Sequence, residues 1–457
     1  MPECRAPSPP ANSSPDQYSP NRTPDTTFYR IVDAHFEEFR NVYPQRYRED
    51  FGYWRPVIAD VVAEFLKCGV VEEGFARLRC PDCGEEILAV FSCKQRNFCP
   101  SCHQKRSLEL AEHLNQNVYE EVPHRQFVFT IPKRFRLYFK YNRFLLGDLA
   151  RRAWQTIRDV YSFVLGTAPT PGGVVSIQTF GSLMLWNPHI HAVVTDGAFE
   201  SIDTFRPLGE VPAEPFKQVW EHHVFQLLIE RELIKPELAD RMRGWDHTGF
   251  STHKDVSIEA GDESGLANLT EYISRCPVAE AKIHQQGAGD KILYDAEGSK
   301  PLPFQQWRAR PDSKTTKRNF EVFDPLDFLA QVTQHIPNKG QHMIRYYGWY
   351  SNRSRGLRVR EAREDEDALE SPCSGANAKR IRWARLIEKV YAADPLVCPQ
   401  CGGELKIVEV AENQADIRRI LQDVDGYSSG TDPPRGPPDN RPAPAEPFSE
   451  DLPWDKN

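Results

Sequence analysis

The chain has 457 residues, of which 27% are charged and 40% apolar, and a formal net charge of -8. That length suffices for two or three domains with a sizeable core. No run of about 18 apolar residues occurs, so no membrane-spanning helix is expected. The acidic balance speaks against indiscriminate nucleic-acid binding, although an average hides local basic patches.

Residues 1–27 hold prolines, serines and threonines with no apolar core; they are expected to form a disordered arm rather than a secretory leader. Eleven cysteines in a chain read this way point to metal ligation or free thiols in a reducing, cytoplasmic compartment. Helices are expected over Phe28 to Tyr43 and Pro56 to Cys68, where Val57, Ile58, Val61, Val62, Phe65 and Leu66 recur at helical spacing. A cysteine-rich module follows to about Arg106, then a helix from Ser107 to Val118.

Within that module, Cys80-Pro81-Asp82-Cys83 and Cys99-Pro100-Ser101-Cys102 are two C-x2-C knuckles separated by fifteen residues, the spacing of a zinc ribbon. Four thiolates close a tetrahedral shell, so this zinc is structural, with Lys94, Arg96, Lys105 and Arg106 as a basic rim toward DNA. Cys93 either replaces one of the four or is a spare thiol. A later knuckle, Cys398 and Cys401, lacks an obvious partner pair; it is either a tight turn with two thiols or a site needing ligands from elsewhere.

From about Pro123 to Cys276 strands and helices mix, as in an α+β fold with helices on one face of a sheet. Phe127 to Ile131 and Val174 to Phe180 read as strands, and Phe144 to Leu165 as a long helix. In Asn187-Pro188-His189-Ile190-His191-Ala192-Val193-Val194, strand alternation puts His189, His191 and Val193 on one face and Ile190, Ala192 and Val194 on the other. Two imidazoles on one rigid face make half of a divalent-metal site, or else one packs in the core and the other is solvated. Leu266, Leu269, Tyr272 and Ile273 share a helical face that stops before Pro277. A tyrosine there is ordinarily core, but beside a metal-held phosphate its phenol can attack phosphorus.

Residues 278–321 are polar and turn-rich, and helical order is expected to resume with Phe328, Leu329 and Val332 in a segment 301–363. The acidic run Glu364 to Asp367 opens a linker, a basic helix spans Arg380 to Tyr391, and residues 364–427 end with the second knuckle. Residues 428–457 read as a disordered tail. Two basic and aromatic regions, Arg125 to Arg152 and Arg345 to Arg360, have the composition of a single-strand groove or of solvated faces.

Taken in order, several segments resemble one family. They are Arg79 to Gly84, Phe91 to Cys102, Pro123 to Pro132, Ile177 to Ser182, the histidine strand, Leu269 to Arg275, Leu326 to Leu329, Arg345 to Gly348 and Cys398 to Gly403. The chain resembles the rolling-circle transposases of the insertion-sequence-ninety-one family, whose nuclease domain is of the His-hydrophobic-His (HUH) type. The resemblance implies an antiparallel-sheet endonuclease domain over 107–300, a zinc-binding domain within 28–106 and a mainly helical C-terminal region. It makes His189 and His191 ligands of catalytic Mg²⁺ or Mn²⁺, and Tyr272 the nucleophile that nicks one strand and keeps a 5′-phosphotyrosine. Arg275 would screen the phosphate.

Members often carry a second tyrosine where this chain has Cys276, and a histidine where it has Asn97. Gln178 and His253 are candidates for a third metal ligand. The implied partner is DNA at element ends, single-stranded or hairpin, with a host helicase, since no GxxxxGK[ST] phosphate loop occurs. A replication-initiator nickase and a zinc-dependent DNA-binding protein without catalysis are the rival readings.

Overall fold

The computed structural model describes residues 23–181, 183–285, 291–296, 302–303, 317–366, 398 and 400–423. The bulk of the expected arm, the basic helix Arg380 to Tyr391 and the expected tail lie outside the described residues. Order begins before the arm was expected to end: Thr23 is buried, and the Thr26 hydroxyl accepts from the Tyr29 backbone N–H to start helix α1 (Thr27–Arg46). Phe28, Ile31, Val32, Phe36, Phe39 and Tyr43 form its buried stripe. They pack with α2 (Pro56–Phe65), whose Pro56 sits in the first turn, where no backbone donor is required.

A hairpin of β1 (Phe75–Arg79) and β2 (Glu86–Val90) precedes α3 (Pro100–Asn117). The central layer is then laid down by β3 (His124–Thr130), helix α4 (Phe144–Leu165), β4 (Gly172–Phe180), β5 (Trp186–Thr195), α5 (Ala213–Glu230), β6 (Ser251–His253) and α6 (Glu263–Ile273). Beyond these come β7 (Ile283–Gln285), β8 (Ile292–Asp295), β9 (Phe320–Phe323), α7 (Pro325–Thr333), β10 (Ile344–Gly348) and α8 (Asn352–Glu366). The last described elements are β11 (Lys406–Ala411) and α9 (Gln414–Asp423).

The main sheet runs β10-β4-β5-β3-β6 with every pair antiparallel, and Ser257–Ile258 adds to the start of β3. The α+β class expected from the sequence is therefore present. Period-two patterning divides the sheet cleanly. Phe127, Phe129, Val175, Ile177, Ile190, Ala192 and Val194 are buried beneath α4 and α5. Gly173 makes room for Trp154 of α4 against β4, since a Cβ there would stand 2.4 Å from the indole ring. The opposite face bears Gln126, Ser176, Gln178, His189 and His191, and Val193 packs against Leu266, Leu269 and Ile273 of α6.

Residues 278–321, expected as polar turns, contain strands: β7-β8-β9 make an antiparallel sheet whose Ile283, Ile292, Tyr294 and Phe323 enter the same core as α1, α2 and α7. Strands of three or four residues carry one or two inward positions each, too few for an alternation to stand out.

Several members of both basic regions are committed within the fold. Arg125 forks onto Asp196 at 3.0 and 2.6 Å, Arg152 pairs with Glu230, and Arg143 is buried and donates to the Gln334 carbonyl. Phe127, Phe135 and Phe139 are core residues. In the second region Trp349 stacks on Phe199 with centroids 4.4 Å apart, Tyr350 is fully buried against His124, and Arg358 covers Trp349 at 4.2 Å. These aromatic and cationic groups thus find partners within the protein. Among the described residues no helix is long and apolar enough to cross a membrane.

His335 is fully buried between the Thr179 hydroxyl at 3.0 Å and the Met184 carbonyl at 2.8 Å, and burial pushes its pKa down to about 3. An unfolded histidine titrates near 6.5, so between those values the unfolded state binds the extra proton and stability falls as pH falls. The expected slope is up to about 1.4 kcal/mol per pH unit for this one group. Urea titrations of the wild type and His335→Gln at pH 7, 6 and 5 test it. The variant should show a shallower pH dependence by about that amount, and equal slopes would remove His335 from the account.

Candidate active site and metal centres

His189 and His191 emerge from β5 on the face that alternation assigns them, with ring centroids 4.9 Å apart and exposures of 8% and 3%. The His189 Nδ1–H donates to the Asn187 carbonyl at 2.7 Å, which leaves its Nε2 unprotonated. His191 Nδ1 meets the Gln126 side-chain amide at 3.0 Å, while its Nε2 is buried with no hydrogen-bond partner. Burial lowers the His189 pKa to about 4 despite its backbone hydrogen bond, with Arg275 and Arg136 adding to the depression. His191 is held well below the usual histidine range by burial, then by His189 and Arg275. Both rings are therefore neutral at physiological pH, the form that ligates a cation.

Tyr272 departs from its ordinary core role. Leu266, Leu269 and Ile273 are buried, but Tyr272 at the margin of α6 is 47% exposed and stands edge-on to His191, with centroids 5.7 Å apart. The Arg275 guanidinium lies 4.7 Å from the Tyr272 ring centre and 5.5 Å from that of Phe180.

The carboxyl end of α6 is fixed by side chains from two directions. Gln178 donates to the Ile273 carbonyl at 2.9 Å and that of Tyr272 at 3.3 Å, and the Ser176 hydroxyl donates to Ile273 at 2.7 Å. From α3, His103 Nε2 and the Ser107 hydroxyl reach the Ser274 carbonyl at 2.5 and 3.0 Å. His103 Nδ1 accepts from the Asn97 backbone N–H at 2.8 Å, so Nε2 carries the proton that it donates. Asn97 adopts φ 59°, a left-handed conformation that asparagine tolerates better than most residues. Its backbone thus orients a histidine that sequence reasoning passed over, and nothing in the spacing of His103 announces that role.

The two candidates for a third ligand separate. Gln178 faces His189 directly across the β4–β5 ladder, and its Oε1 is buried without a partner. His253 pairs with Val128, which in turn pairs with His191. It therefore stands two strand spacings away, about 4.8 Å each, and is exposed. Cys276, where relatives were expected to carry a second tyrosine, has a desolvated thiol pushed up to about 12.

A cavity of about 370 Å³ adjoins the end of α6, lined by Arg96 and Arg106 from the cysteine-rich module, by Gln178 and Arg275, and by Tyr346. The basic rim expected on that module thus partly faces the histidine sheet.

The cysteines are partitioned differently from the expected ribbon. Cys80 and Cys83 stand with Cys398 and Cys401, and Cys99 and Cys102 stand with Cys68 and Cys93. The fifteen-residue spacing misled because Cys99 is the N-cap of α3 and turns its pair into the helical core, away from the β1–β2 hairpin. Cys93 is a full member of its group, Cys68 was overlooked as a helix-end residue, and Cys398 and Cys401 do have a partner pair. Sulfur separations of 3.4 to 3.9 Å match the roughly 3.8 Å edge of a tetrahedron with Zn–S near 2.3 Å. They are far too long for disulfides. The signal that separates the pairs is the next residue: Gly84 and Gly402 follow Cys83 and Cys401, whereas His103 continues a helix after Cys102.

A transposase zinc-binding domain model matches residues 35–131, and a putative transposase model matches residues 172–357. The chain is similar to the transposases of the insertion-sequence-ninety-one family. It is 25% identical over 368 residues to the transposase for insertion sequence element IS801 of Pseudomonas savastanoi pv. phaseolicola, covering 78% of this chain and 84% of that relative. It is also 23% identical over 360 residues to the putative transposase y4qJ of Sinorhizobium fredii, covering 72% of this chain and 84% of the relative. No solved structure matches. These matches support a DNA-processing transposase, and the zinc-binding domain with its cysteine clusters points to structural zinc. In this transposase the two histidines, Tyr272 and Arg275 lie within the second matched span and Cys68 to Cys102 within the first; Cys398 and Cys401 lie outside both.

Gln178→Leu keeps the volume of the side chain but removes the side-chain donor to the Tyr272 carbonyl and one of the two donors to the Ile273 carbonyl, which keeps the Ser176 hydroxyl. The expected loss is about 1 kcal/mol in urea denaturation, the net worth of a hydrogen bond. An unchanged midpoint would show that the helix end is held without Gln178.

Proposed function

We propose that this transposase nicks one DNA strand at element ends through Tyr272 and transfers it by way of a 5′-phosphotyrosine. The observation that carries the reading is the meeting of His191, Tyr272 and Arg275 beside a buried imidazole nitrogen with no protein partner. Two neutral imidazoles and the unpartnered Gln178 oxygen form a mixed N and O donor set suited to Mg²⁺ or Mn²⁺. Such an ion, when bound, withdraws charge from a phosphate oxygen.

The protein's own groups account for the rest. The Tyr272 oxygen attacks phosphorus as its proton passes to solvent, which reaches this half-exposed side chain. A Tyr–O–P bond forms, the bond from phosphorus to the 3′ oxygen breaks, and that oxygen takes up a proton to become a free 3′ hydroxyl. One phosphodiester is exchanged for another, so a later attack by a 3′ hydroxyl of the target regenerates the tyrosine without an energy source. Arg275 sits where it can balance the charge gathering on phosphorus. Arg96 and Arg106 line the adjoining cavity, which gives the strand a cationic path across the cysteine-rich module.

The test mixes the protein with a labelled single strand carrying an element terminus and Mg²⁺ or Mn²⁺, followed by a denaturing gel. A metal-dependent covalent adduct is expected from the wild type and none from Tyr272→Phe. His189→Ala and His191→Ala should each lower it by on the order of 100-fold, and Arg275→Ala by about 10-fold or more. Binding without an adduct on several candidate ends would replace this reading with a DNA-binding protein. An adduct confined to a plasmid origin would favour a replication initiator.

A further inference from the structure

We propose that Cys80, Cys83, Cys398 and Cys401 form a second structural zinc centre, split across the chain, which fastens residues 398–423 onto the N-terminal hairpin. The two contributing segments have one design. Each reads Cys-Pro-x-Cys-Gly. In each, the first cysteine's N–H bonds to the carbonyl five residues on: Cys80 to Glu85 at 2.8 Å and Cys398 to Gly403 at 2.7 Å. The glycine N–H returns to the first cysteine's carbonyl, Gly84 to Cys80 at 3.0 Å and Gly402 to Cys398 at 2.9 Å. Both glycines take the left-handed conformation, with φ 80° and 75°.

Four cysteine sulfurs are the ligand set that closes the shell of a structural zinc. The knuckles interlock, with Cys80 3.5 Å from Cys401 and Cys83 3.4 Å from Cys398 between sulfurs. Gly403 comes so near that a Cβ there would stand 2.4 Å from the Asp82 carboxylate.

The surrounding structure needs a fastener. β11 pairs antiparallel with β1, from Phe75 opposite Ala411 to Arg79 opposite Lys406. The cores behind the join are small: Phe75, Ala411, Ile417 and Ile420 at one end, and Leu78, Cys80, Cys398 and Leu405 at the other. A metal shared by both segments supplies what so few apolar side chains do not. The first group, Cys68, Cys93, Cys99 and Cys102, is complete without the C-terminal segment, so the two centres are separable.

The full-length protein, purified with zinc and under reduction, should contain two zinc ions per chain. Both Cys398→Ser/Cys401→Ser and Cys80→Ser/Cys83→Ser should contain one. A readout without variants uses iodoacetamide on the wild type with mass mapping of the modified cysteines. Cys83 and Cys401 are exposed and would react quickly as free thiols. Zinc should protect them, and a chelator should release their reactivity together with that of Cys398. A wild type holding a single zinc, or Cys401 alkylated as fast with zinc as without, would overturn the proposal. These readouts do not depend on nicking, so loss of the tyrosine mechanism would leave them untouched.

Discussion

The site depends on how the last turn of α6 is held. A helix ends with carbonyls that have lost their intrahelical donors, and buried carbonyls must find others. Here Gln178 and Ser176 supply donors from β4, and His103 and Ser107 supply them from α3. These contacts solve a local hydrogen-bonding problem and also fix the distance between Tyr272 and the histidine strand. They join the cysteine-rich module to the central sheet at the point where chemistry is proposed, because α3 begins at a zinc-group cysteine and ends alongside α6.

Electrostatics at the site follow from the same packing. Burial keeps both imidazoles neutral, and Arg275 reinforces the effect. A permanently charged guanidinium beside neutral nitrogen donors suits an anionic ligand accompanied by a cation better than either alone. Four further cations, Arg125, Arg143, Arg152 and Arg358, are committed to partners within the fold.

Alternation in the histidine strand and the apolar stripe of α6 were legible from residues alone, as were the long helix Phe144–Leu165 and the strand ending at Phe180. These are long elements, where periodicity has many positions in which to declare itself. The strands between Ile283 and Phe323 were too short for that. Partition of the cysteines was hidden for another reason: spacing along the chain cannot reveal a ligand pair more than 300 residues away. The role of His103 was hidden because its partners, Asn97 and Ser274, are backbone groups whose identity leaves no mark on composition.

The pairing of β1 with β11 has a consequence for synthesis. β1 is the middle strand of β11-β1-β2, yet its outer neighbour lies more than 300 residues downstream. A ribosome releases the hairpin long before the strand that completes it, so for most of translation one edge of β1 is open and two cysteines wait. The β1–β2 hairpin therefore gains its third strand only after residues 398–411 have been made, and a chain broken off or frameshifted before residue 398 carries an unfinished hairpin.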